Sequence, residues 1–105
     1  MHDTDAQDAF ATRAVHAGAE PDELTGAVSP PIYQTSTYAQ DGVGRPRGGY
    51  EYARTQNPTR DRLERAVAEV EHGAAAIATA SGMGAVSVIY MALLGQGLHM
   101  VSTDS

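Results

Sequence analysis

The stretch AIATASGMGAVSVIYMALLGQG, residues 76–97, decides how this chain folds. It passes from small apolar residues through a Ser-Gly-Met-Gly corner at 81–84 into a run with helical spacing. A corner of this kind exposes the first backbone N–H groups of a helix, which favour an anion. The alternative is an ordinary strand-to-helix turn with a serine cap, because the spacing matches neither the dinucleotide fingerprint nor the P-loop.

A helix is predicted upstream of this corner. Residues 57–73, NPTRDRLERAVAEVEHG, open with a capping signal, in which Asn57 or Thr59 can be the cap and Pro58 fits an early helical position. They carry apolar residues on one face. His72 and Gly73 are expected to end this helix as a C-terminal pair. Its carboxylates, which include Asp61 and Glu64, are interpreted as a solvated face.

Strand patterns flank the corner and its helix. Residues 74–80 predict a short buried strand, although their alanines could equally extend a helix, and 98–102 predict a second strand. With a second helix over 83–94, the order predicts an α/β fold, a parallel sheet with helical crossovers. Because a parallel sheet is covered on both faces, two strands indicate the incomplete beginning of a larger domain at 58–105.

Residues 1–57 show no sustained helical or strand period and hold four of the five prolines. A structureless segment of this length does not suit a compact independent domain. Either it is disordered, or it is an arm ordered against another body. Its content of isoleucine and tyrosine is too apolar for a typical disordered tail, so we favour an arm that packs on a partner.

The composition excludes several classes of function. Acidic residues outnumber basic ones 13 to 7, for a net charge of −6, which argues against a nucleic acid or an anionic membrane as the main partner. The chain has no cysteine, and its four histidines are too scattered to predict a metal site. The first ten residues lack the apolar core of a signal peptide, and no apolar run could cross a bilayer. We therefore expect a soluble cytoplasmic protein.

A second candidate for anion binding is GGYEYARTQNPTR, residues 48–60. Tyr50, Tyr52 and Arg54 alternate, so in an extended segment all three side chains point to one side. A tyrosine hydroxyl beside a guanidinium suits a phosphate group. An edge strand with packed tyrosines and a solvated arginine is an equally good interpretation.

Five ordered segments resemble the N-terminal quarter of the Cys/Met-metabolism family of pyridoxal-phosphate enzymes. They are TRAVHAG (12–18), TGAVSPPIYQTSTYAQDGVG (25–44), YEYARTQNPTRDRLE (50–64), ATASGMGAV (78–86) and GQGLHMVSTD (95–104). The resemblance implies an arm at 1–57 that packs on a neighbouring subunit, followed by the start of a fold-type I large domain. Within the family, AQDGVG at 39–44 is most similar to cystathionine γ-synthases.

The resemblance also implies a cofactor site for pyridoxal 5′-phosphate. In similar enzymes the backbone N–H groups at the positions of Gly82 and Met83 bind the cofactor phosphate. The pair at the positions of Tyr52 and Arg54 reaches the same phosphate in the neighbouring active site. The implied partners are further copies of the chain, in a homo-oligomer with shared active sites, and an amino-acid substrate. The implied reaction replaces the γ-substituent of an O-acylhomoserine with cysteine.

All seven basic residues of the chain are arginines, so no side-chain amine is available for Schiff-base chemistry. The resemblance places the family's lysine, its ring-stacking tyrosine and its ring-nitrogen aspartate beyond residue 105. No catalytic residue is therefore assigned, and we expect no transsulfuration activity from the chain alone. Gly84 and Leu98 replace the alanine and aspartate usual in the family, and neither replacement is expected to affect catalysis.

Other interpretations stay open at this point. The chain could be part of a cystathionine or methionine γ-lyase, a cystathionine β-lyase or a sulfhydrylase of the same family. It could be a non-catalytic fragment that docks on a full-length paralogue, in which case the two would co-purify. It could also be a small phosphate-binding α/β protein unrelated to pyridoxal phosphate, which would bind phosphate without preferring that cofactor.

Overall fold

A computed structural model describes residues 10–103 of the chain. Their helical structure comprises α1 (Phe10–His16), α2 (Pro58–Val70), α3 (Gly82–Leu93) and one 3-10 turn, Arg47–Gly49. The first nine residues of the predicted arm, with His2, and residues 104–105 lie outside the described residues. None of the three described α-helices combines the length and apolar character that crossing a bilayer requires.

Helix α2 begins and ends where the sequence predicts. The Asn57 side chain accepts a first-turn N–H at 2.8 Å, and Pro58 occupies the first helical position, where no N–H is needed. At the other end the Gly73 N–H donates to the Ala68 carbonyl oxygen at 2.8 Å, while His72 has a positive φ of 54°. This is a Schellman ending, and it confirms the predicted cap and the predicted terminal pair.

Helix α1 corrects the prediction that residues 1–57 lack regular structure. It has only seven residues. Its two large apolar side chains, Phe10 and Val15, are 62% and 69% exposed. The helix therefore has no apolar stripe facing a core, and a stripe is the signal by which a helix is recognised in a sequence.

Helix α1 packs on α2 through a close approach of backbone. Gly18, just beyond the end of α1, is buried and has a φ of +66°, and a Cβ there would lie 2.6 Å from the Arg62 carbonyl oxygen. An Arg13 Nη2 to His72 Nε2 contact of 3.1 Å also joins α1 to the residues just beyond the end of α2. Only glycine permits both this backbone conformation and this distance.

Further along the predicted arm, Tyr33 lies against the start of α2. Its N–H donates to the Thr59 hydroxyl at 2.9 Å, and its carbonyl oxygen accepts from the Asn57 side-chain amide at 3.2 Å. The arm is thus attached to its own chain at this point. Its packing on a neighbouring subunit stays a prediction.

The strands predicted at 74–80 and 98–102 are not formed in this chain, so that prediction is wrong for the isolated chain. Between residues 10 and 103 the β pairing consists of two isolated antiparallel bridges, Thr37 with Tyr52 and Gln40 with Pro46. The physical reason is that a strand is defined by hydrogen bonds to neighbouring strands, and the two segments do not pair with each other.

The described residues enclose no apolar core. No hydrophobic side chain among them is buried, and Met83, Met91 and Leu93 of α3 are 72%, 83% and 71% exposed. The chain exposes 8918 Å², against about 5,600 Å² for a compact monomer of its mass. Its radius of gyration is 18.4 Å, against about 13 Å for a compact domain of its length. Helix α3 is apolar on all sides, so it needs polypeptide outside the described residues to cover it.

Candidate phosphate-binding site

The predicted corner forms the N-terminus of α3. Ser81 is extended, with φ −161° and ψ 159°, and its Oγ accepts the Gly84 N–H at 3.0 Å. The Ala85 N–H donates to the Ser81 carbonyl oxygen at 3.1 Å, which starts the helical hydrogen bonding. The serine cap of an ordinary strand-to-helix turn is therefore present. It occupies only some of the backbone N–H donors at this helix end.

Gly82 and Met83 carry the remaining backbone donors of the corner. Neither N–H has a hydrogen-bond partner in the part of the chain that the structure describes. Both lie in the first turn of a 12-residue helix, where the helix dipole places a fractional positive charge. Both residues are exposed, and a Cβ on Gly82 would meet nothing within 4 Å. The corner can therefore admit an anion and donate two hydrogen bonds to it.

Tyr52 and Arg54 form the second half of the candidate site. The Arg54 Cζ lies 5.0 Å from the centroid of the Tyr52 ring, in a cation–π contact. Among residues 10–103 no carboxylate forms an ion pair with Arg54. The tyrosine ring thus holds the guanidinium without neutralising it, and the charge stays available to an anion.

The extended segment predicted across Tyr50, Tyr52 and Arg54 ends earlier than expected. Residues 53–55 form a turn, and the Thr55 N–H donates to the Tyr52 carbonyl oxygen at 3.0 Å. The prediction that these side chains alternate along an extended segment is therefore wrong at Arg54. The turn nevertheless keeps the Arg54 side chain beside Tyr52. A turn presents a side chain at the surface of the chain, where another molecule can reach it.

Tyr50 has a structural role instead. Its hydroxyl donates to an Asp61 carboxylate oxygen at 3.0 Å, and its ring packs on Tyr38 with centroids 5.5 Å apart. Burial raises the pKa of Tyr50 above its usual value, and the hydrogen bond to Asp61 adds to the rise. Asp61 therefore anchors the arm to α2, which corrects its interpretation as part of a solvated face.

The sequence did not indicate the contacts that Arg60 and Glu64 make around the site. The Arg60 guanidinium donates to the carbonyl oxygens of residues 53, 54 and 55, at 3.2, 3.3 and 2.6 Å. The Glu64 carboxylate accepts the Ala78 N–H at 2.9 Å and lies 3.7 Å from the Arg60 Nε. The i,i+4 spacing of the two residues is the signal that the sequence offers for this pair. The prediction that Glu64 belongs to a solvated face is therefore wrong as well.

Asp22 is a buried carboxylate with a local task. Its side chain accepts the Thr25 N–H at 2.9 Å and the Thr25 hydroxyl at 2.8 Å. The hydrogen bond from the Thr25 hydroxyl is the main reason why the pKa of Asp22 lies below its usual value. This carboxylate closes a loop, and nothing assigns it to the phosphate site. Within 10–103, moreover, no group of three or more His, Cys, Asp or Glu residues could hold a metal ion.

The two halves of the candidate site are not joined within the described residues. No hydrogen bond or ion pair connects Tyr52 or Arg54 to Gly82 or Met83. Arg54 lines a surface groove that extends to Ile77 and Ala78, upstream of the corner. Each half can bind an anion separately, and whether they meet on one anion depends on assembly.

A helix N-terminus with two free donors and an arginine held on a tyrosine are both features that suit an anion such as phosphate. The comparison with protein families is more specific. The family described as "Cys/Met metabolism PLP-dependent enzyme" matches residues 11–105, and the chain belongs to this family. Its cofactor is pyridoxal phosphate. Membership excludes the alternative of an unrelated phosphate-binding protein.

The related sequences carry names from cystathionine metabolism. Cystathionine γ-synthase of Mycobacterium tuberculosis is 58% identical over 94 residues, which are 90% of this chain and 24% of that protein. Cystathionine γ-lyase of Bacillus subtilis is 52% identical over 93 residues, which are 89% of this chain and 24% of that protein. The chain thus spans about a quarter of the length of the curated relatives it matches.

Two solved structures have a similar backbone over most of this chain. The metB protein of Corynebacterium glutamicum has a TM-score of 0.81 at 40% identity, with 91% of this chain and 25% of that chain covered. Cystathionine γ-synthase of Xanthomonas oryzae, solved with aminoacrylate and cysteine, has a TM-score of 0.75 at 45% identity, with 87% and 23% covered. The described residues therefore have the backbone of a segment of these enzymes.

Proposed function

We propose that this chain is the N-terminal part of a pyridoxal-phosphate-dependent transsulfuration enzyme, a cystathionine γ-synthase. Such an enzyme replaces the γ-substituent of an O-acylhomoserine with cysteine. The observation that carries this proposal is the pair of unpartnered N–H groups at Gly82 and Met83, at a helix start in a chain 58% identical to a cystathionine γ-synthase. The aminoacrylate and cysteine bound to the X. oryzae enzyme support an amino-acid substrate.

In this function the chain contributes two parts. Residues 58–105 begin a fold-type I large domain, whose parallel sheet forms when strands from outside these residues pair with 74–80 and 98–102. Residues 1–57 form the arm that packs on a neighbouring subunit of a homo-oligomer. The apolar residues exposed on α3 and along the arm supply the surface that both kinds of packing would bury.

The phosphate of the cofactor is bound from two chains. The N–H groups of Gly82 and Met83 hold it from one chain, and Arg54, steadied by Tyr52, adds a fixed positive charge from the other. A phosphate dianion requires several donors, and backbone N–H groups and a guanidinium provide them without a proton that can be lost near neutral pH. When bound, the cofactor supplies the electron-withdrawing ring on which the chemistry depends.

Residues 1–105 contain no lysine, so an amine for the covalent attachment of the cofactor has to come from outside them. We propose that residues 1–105 contribute to binding and orienting the cofactor and do not catalyse the reaction by themselves. The absence of cysteine is compatible with a cytoplasmic enzyme.

Two alternatives have observations in their favour. The γ-lyase of B. subtilis is nearly as similar as the γ-synthase, so a lyase reaction is the nearest competitor. The exposed apolar surface favours a non-catalytic fragment that docks on a full-length paralogue. The test is to express the complete open reading frame containing these codons. Cystathionine formation from O-acylhomoserine and cysteine supports our proposal, cystathionine cleavage alone supports a lyase, and an inactive product that co-purifies with a paralogue supports docking.

The phosphate role of Arg54 gives a second prediction. Residues 11–105 replace the aligned segment of the M. tuberculosis enzyme, which provides a full-length context. In this chimera, Arg54→Lys is expected to weaken pyridoxal-phosphate binding about tenfold, because lysine keeps the charge but loses the planar fork of donors and the stacking on Tyr52. Binding is measured by titrating the apo-chimera and recording the cofactor absorbance.

Pyridoxal, which lacks the phosphate, serves as the control ligand and should bind the parent and the variant equally. Arg45→Lys is the control variant, since Arg45 is an exposed arginine outside the site. Equal weakening for pyridoxal and its phosphate would show that Arg54 supports the fold rather than the phosphate, and would remove this residue from the site.

A further inference from the structure

Arg60 lies beside the turn that carries one half of the candidate site, and it contacts Glu64 on the same helix. Its guanidinium donates to three consecutive carbonyl oxygens, those of Ala53, Arg54 and Thr55. These carbonyls belong to the turn that presents the Arg54 side chain. A planar group with several fixed donors restrains all three peptide units at once, which a single hydrogen bond could not do. Arg60 therefore determines how the turn is oriented.

Glu64, one helical turn further along α2, contacts the segment that precedes the corner. Its carboxylate accepts the N–H of Ala78, which lies three residues before the Ser81 cap. The Arg60 and Glu64 side chains are 29% and 24% exposed, and the ion pair between them is 3.7 Å long. Partial burial limits the screening of both charges by solvent. One face of α2 thus connects the turn of Arg54 to the segment that enters the corner.

We propose that Arg60 and Glu64 are positioning residues for two different cofactor sites of the oligomer. Arg60 orients the turn whose Arg54 serves the neighbouring active site, and Glu64 fixes the approach to the corner in its own active site. This role rests on the proposed function, because it requires that Arg54 and the corner bind phosphate. It also makes α2 the rigid element that sets the distance between the two half-sites of one chain.

The test uses the same chimera and again compares pyridoxal phosphate with pyridoxal. Arg60→Lys is expected to weaken binding of the phosphate form about fivefold and to leave pyridoxal unaffected, since a lysine ammonium cannot span three carbonyls. Arg65→Lys is the matched control on the same helix, because Arg65 is 54% exposed and pairs with Glu20 at 3.5 Å. We expect Arg65→Lys to change neither affinity.

Mixed dimers separate positioning from general stability. Gly82→Pro removes an N–H group from the corner of its own chain. In a dimer of one Arg60→Lys chain and one Gly82→Pro chain, about half of the sites should bind with parental affinity. The same result is expected when an Arg54→Lys chain replaces the Arg60→Lys chain. Glu64→Ala should instead weaken the site built on the corner of its own chain. In dimers with Arg54→Lys chains, about half of the sites should therefore bind with parental affinity. A loss of fold would weaken both kinds of site and would show no such segregation.

Two results would overturn this inference while leaving the proposed function intact. In the first, Arg54→Lys lowers the preference for phosphate but Arg60→Lys does not. In the second, Arg60→Lys weakens pyridoxal and its phosphate equally, which would indicate a structural role only. If Arg54→Lys itself has no effect, the proposed phosphate role fails first.

Discussion

Replacing Gly82 with proline is expected to weaken pyridoxal-phosphate binding about a hundredfold while α3 stays folded. Proline is well tolerated at the first position of a helix, and it removes the N–H that we assign to the phosphate. Ser81 already has the extended conformation, with ψ 159°, that a residue before proline prefers. A hydrogen bond to a charged group contributes about 1.5–3 kcal/mol, which corresponds to the expected loss.

The measurement is a cofactor titration of the apo-chimera, with circular dichroism to verify that the helix content is unchanged. Gly82→Ala is the matched control: it keeps the N–H, and its Cβ would have open space. We expect Gly82→Ala to bind within a few-fold of the parent. Full affinity in the proline variant would mean that the corner is an ordinary capped helix start.

The same variant tests whether the site is shared. In a dimer of one Gly82→Pro chain and one Arg54→Lys chain, sharing between subunits creates one site with both defects and one site with neither. About half of the sites should then bind with parental affinity. If each chain completes its own site, every site carries one defect and no tight site appears.

The sequence predicts those parts of the fold that depend on neighbours along the chain. Asn57 and Ser81 are cap residues, and a cap bonds to N–H groups two or three positions away. Both helix starts were therefore visible in the sequence. The contact between Tyr52 and Arg54 is local as well, since the two residues lie two positions apart.

Features that depend on distant or absent partners were missed. The segments at 74–80 and 98–102 carry strand patterns, but the strands that would pair with them are not in the described residues. Helix α1 docks by backbone approach at Gly18, which leaves no apolar period to detect. The Arg60 and Glu64 roles depend on carbonyl and N–H groups of a turn and a loop, and these positions follow only from the tertiary structure.

The corner at 81–84 forms the helix start that the sequence predicts, whereas the sheet expected around it is not formed among the described residues. The role of the corner in cofactor binding stays a prediction. A helix start with free N–H groups needs only a local conformation, so four residues are enough to predict the corner. The assignment of Gly82 and Met83 to the cofactor phosphate comes from the family resemblance. What the local pattern could not supply is the relation between the two halves. That relation depends on α2 and on assembly, and the mixed-dimer experiments address it directly.

The second large effect is expected for Gly18→Ala, which should separate α1 from α2. An alanine Cβ would lie 2.6 Å from the Arg62 carbonyl oxygen, a backbone atom that cannot move aside as a side chain could. The φ of +66° adds the strain of the left-handed region. Together the clash and the strain should cost about 3 kcal/mol of docking free energy. Because the Ala17 N–H bonds to the Arg13 carbonyl oxygen, its hydrogen exchange should accelerate about a hundredfold.

Gly26→Ala distinguishes the clash from the backbone strain. Gly26 has nearly the same φ, +69°, but a Cβ there would meet nothing within 4 Å. The control therefore retains the strain, about 1 kcal/mol, without the contact, and the exchange of the α1 amides should not change. If Gly18→Ala exchanges as slowly as the parent chimera, α1 is not docked through this glycine. If the two variants accelerate exchange equally, strain alone explains the effect, and the close approach of Gly18 to Arg62 makes no contribution to holding the arm on α2.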